Sequence, residues 1–150
     1  MKKIVALLAV VCIALSAAAQ IQDPVDWSYS VKKLSADTYT FTATANIEGD
    51  WHIYSQTTGK GGPVPTKINF KKNPLITVVG ATKEAGKVKQ VYDELFKTNV
   101  RYIGETATYT QTIKVRAGVK TNISGSVEYM VCDDRQCLPP SKKTFDLKLQ

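Results

Sequence analysis

Apolar and polar residues alternate along several short segments of the chain. Over Tyr39–Ile47 every second residue is apolar or aromatic, and the residues between are Thr or Asn. A similar period of two recurs over Ala107–Val115 and Ile123–Val131. This period places alternate side chains on opposite faces of a β-strand, with one face buried. The three segments are therefore predicted to be half-buried strands.

Shorter apolar runs predict the remaining strands, and turn-forming residues separate them. These runs are Trp27–Leu34, Trp51–Gln56, Lys67–Phe70, Ile76–Val79, Val88–Tyr92, Val100–Ile103 and Phe145–Leu149. Thr57–Thr66 is rich in Gly and Pro and is predicted to be a loop. No segment has the period of an amphipathic helix. Many short strands with turns between them predict an all-β, immunoglobulin-like sandwich.

The first 19 residues have the pattern of an export signal. Two lysines precede an apolar run over Ile4–Leu15, and small residues follow up to Ala19. We expect cleavage after Ala19, which leaves residues 20–150 as one domain. The apolar run is shorter than the roughly 20 residues that a membrane-spanning helix needs. Lipidation at Cys12 is disfavoured, because the preceding residues do not fit a lipoprotein signal.

Composition after this cleavage limits the possible functions. The formal charge of +7 falls to +5, because two lysines leave and 18 basic residues then face 13 acidic ones. The basic residues are dispersed and form no block with aromatic residues, which argues against nucleic acid binding. About 130 residues can bury an adequate core without disulfides. Two of the three cysteines remain, and in an exported protein they are expected to be oxidised.

Cys132 and Cys137 flank a four-residue polar turn. Cys132 ends a predicted strand, Asp133–Gln136 form the turn, and Cys137 starts the return. A hairpin brings such ends within the Cα separation of about 4.4–6.8 Å that a disulfide needs. Asp133 and Asp134 disfavour a thiolate nearby, and Arg135 is the one cation close in sequence. We therefore expect unreactive free thiols that exchange mainly within a docked complex.

The residues alone leave the role of this pair open. A closed loop of six residues adds only about 2 kcal/mol of stability, which argues weakly for a structural bond. Strand parity points Met130 and Cys132 away from the face of Tyr129 and Val131, toward solvent or a covering segment. Exchange and structural stabilisation therefore remain equally supported. A metal site formed with His52 and Met130 is a third, weaker alternative, because it lacks ligands.

The register of the cysteine hairpin requires an irregularity. If the two cysteines are directly opposite, Val131 pairs with Leu138. The last strand, however, has its apolar residues at odd positions such as Phe145, which that register would place on the wrong face. One residue must slip, and Pro139–Pro140 is the predicted position because proline cannot donate to the ladder.

Several motifs resemble the family of N-terminal periplasmic domains of DsbD, the thiol:disulfide interchange protein. The most specific is Tyr129-x-x-Cys132, the short Asp-containing turn, and Cys137-x-Pro-Pro. Trp51–Gln56 is similar to the aromatic strand of that family. Asp93-Glu94-Leu95-Phe96 is similar to its cap loop, which covers the cysteines. The resemblance spans about Trp27 to Leu149 and implies an immunoglobulin-like sandwich with the cysteines on a hairpin.

The resemblance also implies a function and assigns roles to residues. Such a domain takes electrons from a membrane-embedded thiol reductase and passes them to thioredoxin-like proteins in the periplasm, without a cofactor. Cys137 would form the mixed disulfide with the partner, and Cys132 would resolve it. The implied cap or shielding residues are Leu95 and Phe96, and the implied site-lining residues are Trp51, Tyr54, Asp93 and Glu94. We expect a monomer that is not itself membrane-spanning.

Three departures from the family pattern qualify this reading. The turn between the cysteines has four residues where the family has five, and Leu95 stands where an aromatic shield is expected. The sequence ends at Gln150 without a membrane span or a thioredoxin-like domain, so we expect either a separate membrane partner or recruitment of the domain to another task. The alternative function is a secreted binding module with an inert disulfide, which would bind through Trp51, Tyr54 and the Gly/Pro loop. Whether the protein is an enzyme therefore depends on whether its disulfide exchanges.

Overall fold

The computed structural model describes residues 22–116 and 118–150, and all regular secondary structure in these residues is β-strand. The strands are β1 (Val25–Lys33), β2 (Thr38–Ile47), β3 (His52–Tyr54), β4 (Lys67–Phe70), β5 (Ile76–Asp93), β6 (Thr98–Val115), β7 (Thr121–Tyr129), β8 (Val131–Cys132) and β9 (Ser141–Leu149). The predicted export signal and Cys12 lie outside the described residues.

The strands form two antiparallel sheets. The larger sheet has the order β1-β2-β6-β3-β8, and β5 also pairs with β6. The smaller sheet has the order β4-β7-β9. The all-β, immunoglobulin-like sandwich predicted from the sequence is confirmed. Strand β3 lies between β6 and β8. Strand β8, which carries Cys132, is therefore at the edge of the larger sheet.

Inward-facing side chains of both sheets form the main core of the sandwich. The alternation in β2 works as predicted, because its apolar positions from Tyr39 to Ile47 are all buried. The ring of Phe41 contacts that of Phe145 from the other sheet, with centroids 4.7 Å apart, and meets Phe70 edge-on at 5.2 Å. This inter-sheet contact of aromatic rings holds the two layers together.

Gly125 permits the close packing within the smaller sheet. A Cβ atom at this position would lie 2.2 Å from the backbone oxygen of Asn69 and 2.5 Å from a ring carbon of Phe145. Neither distance is possible for a real side chain. Glycine in the middle of β7 therefore lets the ring of Phe145 lie across the strand.

Strands β5 and β6 form one long hairpin of two 18-residue strands. The sequence predicted four separate strands in this region, and that part of the prediction was wrong. Two register shifts, between Val79 and Lys83 and between Gly86 and Val88, let the pairing continue past the polar interruptions. Such bulges bend a strand without ending it. The turn of this hairpin, residues 94–97, is called the cap turn below.

The chain changes sheets at Met130. Tyr129 ends β7 opposite Ser141 in the smaller sheet, whereas β8 pairs with β3 in the larger one. The amide of Leu138 donates to the carbonyl of Val131 at 2.9 Å. Between the Tyr129–Ser141 pair and the Val131–Leu138 pair, the outgoing chain has one residue, Met130, and the returning chain has two, Pro139 and Pro140. The predicted slip at Pro139–Pro140 is confirmed.

Candidate functional site

Cys132 and Cys137 form a disulfide, with Cα atoms 4.0 Å apart, across the turn of residues 133–136. The Asp133 carboxylate organises this turn: its Oδ1 accepts from the amides of Arg135 at 2.8 Å and Gln136 at 2.7 Å. These two backbone N–H groups hold the pKa of Asp133 below its usual value. Asp is favoured in turns for this reason. The turn therefore presents the disulfide at the end of β8.

The two cysteines differ in exposure. Cys132 is 1% exposed, whereas Cys137 is only partly buried. The disulfide thus has one member inside the fold and one near the surface. An incoming thiol would reach Cys137 first.

A second hydrophobic cluster, separate from the main core, surrounds the disulfide and is called the cysteine cluster below. Its buried members are Tyr54, Val100 and Cys132, and its partly buried members are Phe96, Tyr102, Met130 and Cys137. Tyr129 and Val131 belong to the main core instead. Strand parity predicted that Met130 and Cys132 face away from that core, toward solvent or a covering segment. Both belong to the cysteine cluster, which also includes Phe96 of the cap turn.

Strand β3 supplies two of the side chains beside the disulfide. His52 is the register partner of Cys132, and Ile53 that of Val131. Alternate residues of a strand face opposite ways, so Ile53 enters the main core while His52 and Tyr54 face the cysteine cluster. The His52 ring packs on Tyr102, with centroids 4.2 Å apart, and meets Tyr54 edge-on at 5.4 Å.

Burial shifts the proton affinities of both β3 side chains. Burial raises the pKa of Tyr54 well above its usual value, and the charge of Asp93 and the nearby Tyr102 add to the shift. Burial lowers the pKa of His52 from its ordinary value. The carboxylates of Asp134 and Asp93 offset part of that lowering, and the backbone of Asp50 and the Asp133 carboxylate contribute too. At neutral pH the tyrosine is therefore protonated and the imidazole is neutral.

The cap turn lies against the cysteine cluster through Phe96. Asp93 Oδ1 accepts from the amides of Leu95 at 2.9 Å and Phe96 at 3.2 Å, and Lys97 closes the turn with a φ of 51°. Phe96 is partly buried, and its ring meets Tyr54 edge-on with centroids 6.1 Å apart. Leu95 is 71% exposed. Of the two shielding candidates, Phe96 is the one that packs on the cluster.

A cleft of about 540 Å³ lies between the cap turn and the cysteine turn. It is lined by His52, Tyr54, Val91, Tyr92, Asp93, Glu94, Leu95, Tyr102 and all six residues from Cys132 to Cys137. The structure thus brings together every predicted site residue except Phe96, which packs in the cluster, and Trp51. Trp51 packs on the main core and lines an adjacent recess with Asp133, Asp134 and Arg135.

Sequence reasoning missed His52 and Tyr102 as residues that line the cleft. His52 had been considered only as a weak metal ligand. Its position two residues before Tyr54 on one strand was a signal that both share a face. Within residues 22–116 and 118–150, no group of three or more His, Cys, Asp or Glu side chains is arranged to hold a metal ion. The same residues contain no helix that is long and apolar enough to cross a membrane.

Comparison with protein families gives one match. The family model described as "Thiol:disulfide interchange protein DsbD, N-terminal" matches residues 18–149, almost the whole chain. A search of curated protein sequences found no match.

Three solved structures share the fold at low sequence identity. The reduced DsbD N-terminal domain of Neisseria meningitidis has a TM-score of 0.58 and 16% identity, with 85% of this chain and 89% of that chain covered. The N-terminal periplasmic domain of ScsB from Proteus mirabilis has a TM-score of 0.62 and 13% identity, covering 86% of this chain and 49% of that one. A complex between the DsbD and PilB N-terminal domains of Neisseria meningitidis contains a match with a TM-score of 0.51 and 13% identity, covering 89% and 91%.

Proposed function

Because this chain belongs to the family of DsbD N-terminal domains, we propose that its Cys132–Cys137 pair passes electrons between proteins by thiol–disulfide exchange. One observation carries the proposal: the disulfide joins a buried Cys132 to a partly exposed Cys137 inside an open cleft. This asymmetry suits a reaction in which a partner attacks one sulfur while the other is kept for the second step.

Reduction of the pair takes two exchange steps. A donor thiolate attacks Sγ of Cys137, the bond to Cys132 breaks, and Cys132 leaves as a thiolate that takes up a proton. The donor's second thiol then attacks the donor sulfur in this mixed disulfide and transfers its proton to the Cys137 thiolate that it releases. The donor ends as a disulfide, and this domain has gained two electrons and two protons.

Delivery to an acceptor reverses the roles. The Cys137 thiolate attacks the acceptor disulfide and forms a mixed disulfide, and one acceptor sulfur leaves as a thiolate that is protonated. The Cys132 thiolate then attacks Sγ of Cys137 and re-forms the intramolecular bond. The acceptor is released with both thiols reduced, and no cofactor takes part in either step.

We further propose the cellular setting and the partners. Residues 1–19 act as a cleaved export signal, and residues 20–150 work as a single domain in the periplasm. The donor is a membrane-embedded thiol reductase, and the acceptors are thioredoxin-like periplasmic proteins. Family membership supports this setting, and the complex of a DsbD N-terminal domain with a PilB N-terminal domain supports docking of another protein on this fold.

The cap turn controls access in this proposal. Phe96 covers the cysteine cluster, and the turn moves when a partner docks. Tyr54 supports the Phe96 ring through the edge-on contact between their rings. Asp93 fixes the turn through its two backbone hydrogen bonds, while Glu94 and Leu95 form the rim that a partner meets first.

Trapping of a mixed disulfide tests the proposal. The probe is a thioredoxin-like domain with one remaining active-site cysteine. That cysteine carries thionitrobenzoate as a mixed disulfide. Cys132→Ala retains the accessible Cys137, so we expect it to form the protein adduct and release the yellow thiolate. The matched variant Cys137→Ala retains only the buried sulfur and should react at least about tenfold more slowly, because reactivity follows access. Equal rates, or no adduct with Cys132→Ala, would overturn the assignment.

The burial of Cys132 also favours a second candidate, a secreted binding module whose disulfide is purely structural. A bond with one sulfur inside the fold resists exchange unless the covering segment opens. In that case neither variant would trap a thioredoxin-like domain, and the intact disulfide would survive incubation with reduced thioredoxin.

A further inference from the structure

The single histidine of the chain lies directly opposite the buried cysteine. His52 and Cys132 are register partners on the antiparallel strands β3 and β8. Side chains of such partners leave the same face of the sheet, with Cβ atoms about 4.5–5.5 Å apart. On the other side of His52, β6 presents Gly104, which has no side chain, and the imidazole packs on Tyr102. His52 and Cys132 are therefore side by side on one face of the sheet, and both line the cleft.

The buried sulfur needs a proton source when the disulfide opens. Attack on Cys137 forces Cys132 to leave as a thiolate in a position that is 1% exposed. Burial disfavours this charged form. The carboxylates of Asp133, Asp134 and Asp93 also line the cleft and oppose a negative charge there. Protonation by a neighbouring group would remove this cost.

His52 is suited to this task among the groups that face it. Those groups are Asp133, Asp134 and Arg135 from the cysteine turn, Asp93 and Glu94 from β5 and the cap turn, Tyr102 from β6, Tyr54 from β3, and the backbone of Asp50. Carboxylic acids ordinarily ionise near pH 4, tyrosines near pH 10 and arginine above pH 12. Imidazole is the one of these groups whose ordinary pKa lies close to neutral, and burial lowers the pKa of His52 from that value.

We propose that His52 is the acid–base group of the exchange, an inference that rests on the proposed function of the same cysteine pair. On reduction, the protonated fraction of His52, a minority at neutral pH because burial lowers its pKa, gives its proton to the Cys132 thiolate as the S–S bond breaks. The neutral imidazole that remains regains a proton from water. On delivery to an acceptor, the neutral imidazole takes the proton from the Cys132 thiol, and the resulting thiolate attacks Sγ of Cys137. No electron passes through His52 in either direction.

The pH dependence of reduction by dithiothreitol tests this proposal. The rate is measured from pH 5 to 8.5 on the oxidised wild type and His52→Gln, and is divided by the concentration of dithiothreitol thiolate. In the wild type this normalised rate should fall at least about tenfold as the pH rises through the pKa of His52, since general acids contribute roughly 10²–10⁴-fold. His52→Gln should show a flat profile at the lower rate. A profile shared by both proteins would overturn the proposal.

Two controls separate proton transfer from other effects of the substitution. Glu105→Gln removes a charge that is exposed and outside the cleft, and it should keep the wild-type profile. Repeating the wild-type measurement in 1 M KCl, where the Debye length is about 3 Å, tests simple attraction between the imidazolium and the approaching thiolate. The pH step should persist in high salt, and its disappearance would overturn the proposal.

A measurement on the unmodified protein covers the case in which His52→Gln does not fold. The one imidazole of the chain gives a single NMR titration curve, which is recorded for the oxidised and the reduced protein. The two curves should differ, because the freed Cys132 sulfur becomes a hydrogen-bonding partner of the ring. Superimposable curves would overturn the proposal. Neither test uses a protein partner, so failure of thioredoxin-like proteins to react would refute the proposed function without deciding the role of His52.

Discussion

The main core and the cysteine cluster lie on opposite faces of the larger sheet, and they differ in how they are enclosed. Among the residues that the structure describes, the main core has 18 buried members supplied by both sheets. The cysteine cluster has three, and part of its cover is a single hairpin turn with Phe96. Apolar contacts between two sheets open only when the domain unfolds. A small cluster covered by a turn can open locally at a much lower free energy.

This difference teaches how a stable domain can hold an exchangeable bond. The disulfide closes a loop of only six residues, so its contribution to stability is about 2 kcal/mol in the chain-entropy view. We therefore expect most of the stability to come from the main core, and the fold to survive reduction of the bond. The variants below test how independent the two clusters are, starting with the largest expected effect.

Removing a ring from the main core should destabilise the whole domain. Phe41 is fully buried and contacts Phe70 and Phe145, so Phe41→Ala should lower the free energy of unfolding by about 3–5 kcal/mol. Leu34→Ala removes an apolar side chain that is 59% exposed and should cost less than about 0.5 kcal/mol. Urea denaturation measures both. If Phe41→Ala is still folded, a large change in its rate of disulfide reduction would show that the two clusters are not independent.

Removing a ring from the cysteine cluster should change access more than stability. Phe96→Ala uncovers the disulfide, so reduction by dithiothreitol should accelerate about tenfold, which corresponds to about 1.4 kcal/mol in the opening equilibrium. The neighbouring Leu95→Ala serves as the matched variant, because Leu95 is mostly exposed; its rate should change less than about twofold. If Leu95→Ala gives the larger acceleration, the shielding role belongs to Leu95.

The smallest expected effect is confined to the cysteine turn. The amides of Arg135 and Gln136 hold the pKa of Asp133 below its usual value, so the turn gains stability from the ionised carboxylate. That contribution is complete above the ordinary carboxyl pKa near 3.9 and is lost as the pH falls through the lowered pKa. NMR shifts of both amides should therefore move together at acid pH. In Asp133→Asn, which keeps the acceptor but cannot ionise, they should stay constant.

Much of the fold follows from the period of two in the sequence. The alternation from Tyr39 to Ile47 predicted β2 and its buried face correctly, because burial of one face is what produces that pattern. The continuity of β5 and β6 was missed, since bulges near Gly86 allow polar residues and glycine inside a paired strand. The parity argument did predict the slip at Pro139–Pro140, because a misplaced residue would put a whole strand face in the wrong environment.

The candidate site was predictable only in part. Two cysteines across a short turn indicated the disulfide, and the family resemblance indicated the cap. The pairing of His52 with Cys132 depends on the change of sheets at Met130, which local pattern does not encode. Trp51 directly precedes His52, and neighbouring residues of an extended chain face opposite sides. Trp51 therefore packs on the main core, whereas His52 and Tyr54 face the cysteine cluster.

The reduction potential of the Cys132–Cys137 pair tests the central claim most directly. The oxidised protein is equilibrated with reduced and oxidised thioredoxin, and both species are quantified after acid quenching. An exchangeable pair should have a potential within roughly −270 to −200 mV, the range of thioredoxin and glutaredoxins. A potential below about −300 mV would mark a structural bond and would contradict the account.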